Sequence, residues 1–314
     1  MDALRVLFMG TPQFAVEPLK ALYEAGYNIV GVVTQPDRPV GRGGKVAMPP
    51  VKEYALLKGL SVYQFARLRS KEGRMALEGL APDMVVTAAF GQILSQRLLD
   101  IPRLGTLNVH ASLLPAYRGS APINWALING ETHTGVTIML TDVGIDTGDM
   151  LLSDTTAIEE GETAEDLSLR LSQMGARALL AAIKGYVSGE ITPQKQDESQ
   201  ASYYPMLDRQ LGEIDWQNMD SAAIVNRVRG LMPWPGTQTL YKGQALKIWQ
   251  AKQEGRQGEA GRILEASAKH GLIVGCKGGA VRLCEIQLPG SRRMADVDYL
   301  RGHAIPVGEQ LGNA

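Results

Sequence analysis

Gly105 to Asp149, GTLNVHASLLPAYRGSAPINWALINGETHTGVTIMLTDVGIDTGD, is the stretch on which the reading of this 314-residue chain turns. Leu107 and Val109 alternate with Asn108 and His110, the period of a strand with one apolar face. Pro115, Gly119 and Pro122 then force an irregular loop that carries Arg118 and Ser120. A helix is expected over 123–128 and a second strand over 135–140. After it, Asp142, Asp146 and Asp149 are spaced among Gly144 and Gly148 in another loop. Strand, loop, helix, strand and loop form one unit of an open α/β sheet. Ligands of such sheets gather outside the carboxyl ends of the strands. Asn108, His110, Asp142 and Asp146 are therefore expected together at that edge.

Working outward, residues 5–9 read as a buried first strand, 14–22 as a helix and 28–34 as a second strand, the opening of a Rossmann-like sheet. GTPQFA at 10–15 is not GxGxxG, so no dinucleotide site is read there. Short strands follow at 61–64 and 84–88 with a helix near 70–80 between them, then a strand over 150–158 and a long helix over 163–186. Thr163 and Asp166 have the spacing of a capping box. Gln35 to Lys52, QPDRPVGRGGKVAMPPVK, carries four prolines and three glycines and is expected to be irregular over most of its length. Its cations, Arg38, Arg42, Lys45 and Lys52, outnumber its single acid, Asp37, so a flexible basic arm beside the site suits a phosphate-rich partner.

The polar stretch TPQKQDESQAS at 192–202 reads as a linker, and a helix is expected over 222–231. Beyond PWPG at 233–236 come five short alternating runs, at 237–241, 245–250, 261–267, 271–276 and 280–285, the pattern of a small OB-like β-barrel. The expected organisation is a Rossmann-like domain over 1–191, a linker over 192–205 and the OB-like domain over 206–314. Residues 1–205 carry 18 Lys and Arg against 22 Asp and Glu, a balance of −4; residues 206–314 carry 14 against 11, a balance of +3. A mildly basic second domain permits a polyanionic partner. Cys276 and Cys284 form no CxxC pair and are expected to pack as small apolar residues; His133, His270 and His303 are read as structural or surface groups. The amino-terminal apolar run is too short for a signal peptide or a membrane span, so a cytoplasmic location is expected.

No serine or cysteine here sits in a nucleophile motif, and there is no HExxH. An Asn, a His and an Asp without a nucleophile suit direct attack of an amine on an activated carbonyl. The Asn108 amide would donate to the developing oxyanion, His110 would shuttle a proton or share that charge, and Asp146 would orient His110 or take up the amine's proton. Arg118 would either position a phosphate or carboxylate or pin its loop.

NVHASLLPAYRGSAP followed by DVGIDTGD closely resembles the signature of the folate-dependent formyltransferase family. The resemblance implies transfer of a formyl group from 10-formyltetrahydrofolate to an amine, with Asn108, His110 and Asp146 as the catalytic trio and no metal. It implies folate binding by Ser112, Leu113, Leu114 and Pro115, and a pterin held near Phe90, Gln92, Ile93, Asp142, Val143 and Gly144. The resemblance extends through the basic segment and IDW at 214–216 into the second domain, and so covers the branch of the family that formylates initiator methionyl-tRNA. In that branch the basic loop enters the tRNA acceptor arm, which implies Arg42 as the principal contact with Lys45 and Arg38 beside it, and a barrel face that binds the same arm. A monomer is expected. Sugar-nucleotide formyltransferases and formyltetrahydrofolate hydrolases share the trio, but no long basic loop is expected of the sugar enzymes and the hydrolases pass the formyl group to water. DRQLGE at 208–213 departs from the family pattern, in which a lysine is expected.

Overall fold

The computed structural model describes residues 4–40 and 44–312 and divides them into two compact units. The first is built from the chain up to Gly119, from His133–Ala157 and from Ser168–Tyr204. Ser120–Thr132, Ile158–Leu167 and the chain from Pro205 onward make the second. The second unit thus includes two segments that a single cut near 191–206 would leave in the first.

In chain order the strands of the first unit are β1 (Arg5–Gly10), β2 (Asn28–Thr34), β3 (Arg38–Val40), β4 (Lys45–Ala47), β5 (Val62–Gln64) and β6 (Met84–Ala88). They are followed by β7 (Thr106–His110), β8 (Arg118–Gly119), β9 (His133–Leu140), β10 (Met150–Ala157) and β11 (Tyr203–Tyr204). The helices up to residue 188 are α1 (Val16–Glu24), α2 (Pro50–Leu57), α3 (Lys71–Leu80), α4 (Gln96–Leu99), α5 (Pro122–Ile128) and α6 (Ala164–Ser188).

Seven strands form one sheet in the order β10-β9-β7-β6-β1-β2-β5. β7, β6, β1, β2 and β5 are mutually parallel. Val6, Leu7 and Phe8 of β1 are fully buried, as are Met84 and Val86 of β6, because a central parallel strand is covered on both faces. Burial of each such side chain is worth about 1.5–3 kcal/mol. α3 begins where Ser70 Oγ accepts the Gly73 N–H at 3.1 Å and ends where Ala81 takes a left-handed conformation. α6 begins on the expected capping box, with Asp166 N–H reaching Thr163 Oγ1 at 3.3 Å and Thr163 N–H reaching Asp166 Oδ2 at 3.1 Å.

Three features differ from the sequence reading. β9 runs antiparallel to β7, pairing Leu107 with Leu140 and His110 with Thr137, so its carboxyl end lies level with the start of β7. An alternating apolar pattern identifies a strand but carries no sign of its direction. Within the proline- and glycine-rich basic segment, β3 and β4 pair antiparallel, and α2 follows with Pro50 at its first turn. Pro39 sits in a strand of an isolated two-stranded ribbon, and Pro49 and Pro50 at a helix start, where a proline is tolerated. Lastly, the segment expected as a linker is bonded to the first unit. Gln194 pairs with Met150, Ser202 O accepts the Arg118 N–H at 2.8 Å, and β11 pairs in parallel with β8.

The second unit adds α7 (Ser221–Gly230), β12 (Thr237–Tyr241), β13 (Gln244–Glu254), β14 (Ile263–Ser267), β15 (Gly271–Cys276), β16 (Gly279–Gln287), β17 (Met294–Ala295) and α8 (Asp296–Gly302). Its strands form an antiparallel sheet in the order β12-β13-β16-β15-β14, with β17 beside β16. Trp216, Ile224, Val228, Leu246, Ile248, Leu272, Val274, Leu283 and Ile286 make its core. Asp296 is fully buried yet satisfied: it accepts Arg282 Nε at 2.7 Å, Arg282 Nη2 at 2.9 Å and the Leu272 N–H at 2.9 Å. Cys276 is buried in β15 and Cys284 half-buried in β16. Among the described residues no helix is long and apolar enough to cross a membrane.

Candidate active site

Asn108 and His110 lie two residues apart on β7 and so project from one face of the sheet. Thr87, paired with Asn108 in the neighbouring strand, donates its hydroxyl to Asn108 Oδ1 at 2.8 Å. That bond fixes the amide with its oxygen toward β6, and leaves the two Nδ2 hydrogens for another acceptor. His110 Nε2 lies 3.0 Å from Tyr117 O. A carbonyl oxygen only accepts, so Nε2 carries the hydrogen and Nδ1 is the nitrogen left to gain or lose a proton. Nδ1 faces Asp146 Oδ1 at 3.6 Å, too long for a hydrogen bond and short enough for an ion pair when the ring is protonated.

Asp146 reaches this point by a route the sequence reading did not foresee. Because β9 is antiparallel to β7, its loop leaves at the wrong end and must fold back to return the carboxylate to His110. Thr141 N–H donates to Thr106 O at 2.7 Å, and Leu140 N–H to Asp149 O at 2.8 Å, closing the loop on both sides. Within it, Asp142 Oδ1 accepts the Gly144 N–H at 3.0 Å and the Thr147 hydroxyl at 2.7 Å, an Asx-type turn. Asp146 has φ 54°, left-handed and uncommon for a non-glycine residue. Its carboxylate is held by the Gly119 N–H, 2.9 Å from Oδ2, and its carbonyl by Gln196 Nε2 at 2.8 Å.

The folate positions expected from resemblance fall into three groups. Phe90 is buried, and its carbonyl accepts from Thr11 Oγ1 and Gln35 Nε2, both at 3.2 Å. Gln92 braces the same loop, accepting the Leu68 N–H at 2.7 Å and donating to Phe65 O at 3.0 Å. Ile93 and Val143, by contrast, are 75% and 62% exposed. Ser112 Oγ donates to Ala116 O at 2.7 Å, and the Leu114 N–H to Thr137 Oγ1 at 3.1 Å, so Ser112, Leu113, Leu114 and Pro115 form a pinned loop with buried Leu114 at its base. Of the basic positions, Arg38 is exposed and donates to Gln35 Oε1 at 3.3 Å, and Lys45 pairs through its backbone with Val40. Arg42 lies outside the described residues.

Arg118 is decided by burial. Its side chain is fully buried, so it meets no substrate phosphate and instead pins its loop. Nη1 and Nη2 grip the two carboxylate oxygens of Glu198 at 2.9 and 2.7 Å, Nε donates to Gln196 Oε1 at 2.9 Å, and Nη1 also meets the Tyr203 hydroxyl. The Glu198 hydrogen bond raises the guanidinium pKa further, and in return Arg118 holds the Glu198 carboxyl below its usual range. A depressed carboxylate contributes stability that is complete above its unfolded pKa, about 4.3, and is lost as pH falls through the lower folded value. Loosening of the 196–204 segment is therefore expected only below about pH 4. Glu198→Gln should flatten that acid limb of the thermal-midpoint profile; superimposable acid limbs in the two proteins would contradict the assignment.

Similarity to known proteins bears on this geometry. A family model described as "Formyl transferase" matches residues 4–183, and "Formyl transferase, C-terminal domain" matches 206–304. The chain belongs to the formyl transferase family. A relative named methionyl-tRNA formyltransferase from Caldanaerobacter subterraneus subsp. tengcongensis is 48% identical over 311 residues, 98% of this chain and 100% of that one. Another of the same name from Geobacter sulfurreducens is 45% identical over 314 residues, 100% of this chain and 98% of that one. Among solved structures, the sugar 3N-formyl transferase WlaRD, in the presence of dTDP and 5-N-formyl-THF, aligns with a TM-score of 0.67 and 18% identity. The alignment covers 93% of this chain and 100% of that one, a likeness of fold. In this formyl transferase, Thr87, Gln196 and Glu198 join the site without any sequence signal: they lie outside the signature, and Gln196 and Glu198 act through the Asp146 carbonyl and through Arg118. Tyr117 lies within the signature but contributes its backbone carbonyl, which no side-chain pattern reports.

Proposed function

We infer that this formyl transferase moves the formyl group of 10-formyltetrahydrofolate to the α-amino group of initiator methionyl-tRNA, giving N-formylmethionyl-tRNA for translation initiation. The observation that carries this reading is the 48% identity across 98% of the chain with a methionyl-tRNA formyltransferase. The folate supplies an electrophilic formyl carbon. The neutral amine forms the new C–N bond to it, the bond to folate N10 breaks, the amine gives up one proton and N10 gains one.

The chain's own residues account for the rest. Asn108 Nδ2, with its oxygen occupied by Thr87, donates to the negative charge that develops on the formyl oxygen, an interaction worth about 3–4 kcal/mol in a preorganised site. His110, fixed at Nε2 by Tyr117 O, holds or releases a proton at Nδ1. Asp146 orients the ring and stabilises its charged form. Ile93 and Val143 are the apolar surfaces to cover a pterin, with the Asp142 to Gly144 backbone and the Phe90 to Gln92 loop supplying polar edges, and residues 112–115 flank the remainder of the folate. Holding both substrates together contributes a large share of the rate. The basic segment over 35–52 brings Arg42, Lys45 and Arg38 to the acceptor arm, and the more basic residues 206–314 bind the same arm as an OB-like domain after a catalytic domain over 1–191. The reading goes with a monomer working in the cytoplasm.

The test offers 10-formyltetrahydrofolate with charged initiator tRNA, with a dTDP-aminosugar, or with no acceptor. Transfer to methionyl-tRNA alone is expected; transfer to the sugar, or formate release at a comparable rate, would overturn the reading. A second expectation concerns Arg42→Ala. Loss of one charge-assisted phosphate contact should lower kcat/KM for methionyl-tRNA about 10- to 100-fold. KM for the folate should stay within about twofold, since no folate contact is removed. Equal losses toward both substrates would remove the basic segment's assigned role.

A further inference from the structure

The segment between the two matched family regions, which its composition marks as a linker, holds one side chain that touches the site from behind. Gln196 spends its whole amide there. Nε2 donates to Asp146 O at 2.8 Å and to Gly148 O at 2.7 Å, and Oε1 accepts Arg118 Nε at 2.9 Å. Both amide hydrogens thus go to carbonyls of the loop that presents Asp146, and the oxygen goes to the residue next to Gly119, whose N–H holds the Asp146 carboxylate. Asp146 is gripped at its carbonyl and its carboxylate, and both grips meet on Arg118 and Gly119. Together they hold a left-handed aspartate against its intrinsic backbone preference.

The same segment reaches the other half of the pair. Ser202 Oγ accepts the Tyr117 N–H at 2.9 Å, and the Tyr204 ring stacks on Tyr117 with centroids 4.7 Å apart. Tyr117 O is the acceptor that orients His110. Residues 196–204 therefore stand behind both His110 and Asp146 while touching neither reacting atom.

We propose that Gln196 is a positioning residue for formyl transfer, setting the Asp146 carboxylate against His110 Nδ1 by holding the carbonyls of Asp146 and Gly148. The proposal rests on the formyl-transfer reading given above. Without the amide, the Asp146 carbonyl loses the donor that fixes it, the residue relaxes toward ordinary backbone, and its carboxylate swings from a 3.6 Å approach that has little slack. A displacement of about 1 Å at such a site costs on the order of 100-fold in rate.

Gln196→Ala and Gln196→Glu test this together. Alanine removes the amide; glutamate keeps its length and its acceptor for Arg118 while placing a second oxygen against the two carbonyls. Both should lower kcat about 10- to 100-fold with KM for each substrate within about threefold. In an Asp146→Ala background, Gln196→Ala should change the residual rate by less than about threefold, because a residue that acts through Asp146 has nothing left to position. Amide hydrogen exchange over 141–149 should rise at least about tenfold in Gln196→Ala at a temperature where circular dichroism shows the fold intact. A wild-type kcat in both variants, an undiminished effect in the Asp146→Ala background, or unchanged exchange would each overturn the proposal. The exchange result holds whichever acceptor the enzyme uses. A wild-type protein that formylates no methionyl-tRNA would sink the functional reading, and a formylating wild type beside unaffected Gln196 variants would sink this inference alone.

Discussion

His110→Ala should lower single-turnover formyl transfer to methionyl-tRNA by about 1,000-fold or more, and Asp146→Asn by about 100- to 1,000-fold. The two substitutions separate shape from charge. Asp146→Asn preserves size and an acceptor for the Gly119 N–H, so the loop keeps its anchor and only the negative charge opposite Nδ1 disappears. His110→Ala removes the proposed proton carrier together with its hydrogen bond to Tyr117 O, so a modest loss of thermal stability should accompany the kinetic loss. Asn108→Ala would complete the series through the oxyanion donor. Rates within about tenfold of wild type for either His110→Ala or Asp146→Asn, in proteins with native circular dichroism, would show that the pair performs no chemistry.

Gly148→Ala should be nearly as damaging, although it changes one methyl group in a residue that performs no chemistry. A Cβ at Gly148 would lie 1.8 Å from Leu140 O and 3.2 Å from Met139 Cε. The nearer atom is backbone, in the strand that pairs directly with β7, and cannot turn aside as a side chain would. The loop must lift, and lifting it pulls Gly148 O from Gln196 and carries Asp146 away from His110. Destabilisation of about 1–3 kcal/mol and at least about a 100-fold loss of kcat are expected. Gly79→Ala is the control: it sits in α3, a Cβ there meets nothing within 4 Å, and alanine should stabilise the helix by about 0.5–1 kcal/mol with unchanged turnover. Equal turnover in Gly148→Ala and Gly79→Ala would mean that the loop tolerates displacement and does not set the site.

The Arg118 cluster illustrates why parts of this site are not legible in the sequence. An arginine in a loop of glycines and prolines is compatible with substrate recognition and with structure alike, and the residues that settle the matter, Gln196, Glu198 and Tyr203, lie 78 to 85 positions away. They sit in a polar run whose composition is that of a solvated linker. Polar side chains that find fixed partners in a fold have the same letters as those that find water. The basic segment is a similar case: its prolines argue against regular structure in general, yet an isolated two-stranded ribbon asks for few ladder bonds and tolerates them.

What the sequence by itself determined is local and chemical. The apolar run ending at Met9 marked β1 as a buried strand, because a strand covered on both faces reads as a continuous apolar run. The i, i+2 spacing of Asn108 and His110 put both on one face of β7, and the signature around them pointed to the family. What only the tertiary structure decided is direction and long-range pairing: that β9 runs against β7, that the aspartate loop folds back to His110, and that residues 194–204 lock that loop from behind. Periodicity reports which face of an element is apolar, whereas direction and partner depend on closing loops of tens of residues, a choice made by the packing of the whole unit and written in no single stretch of chain.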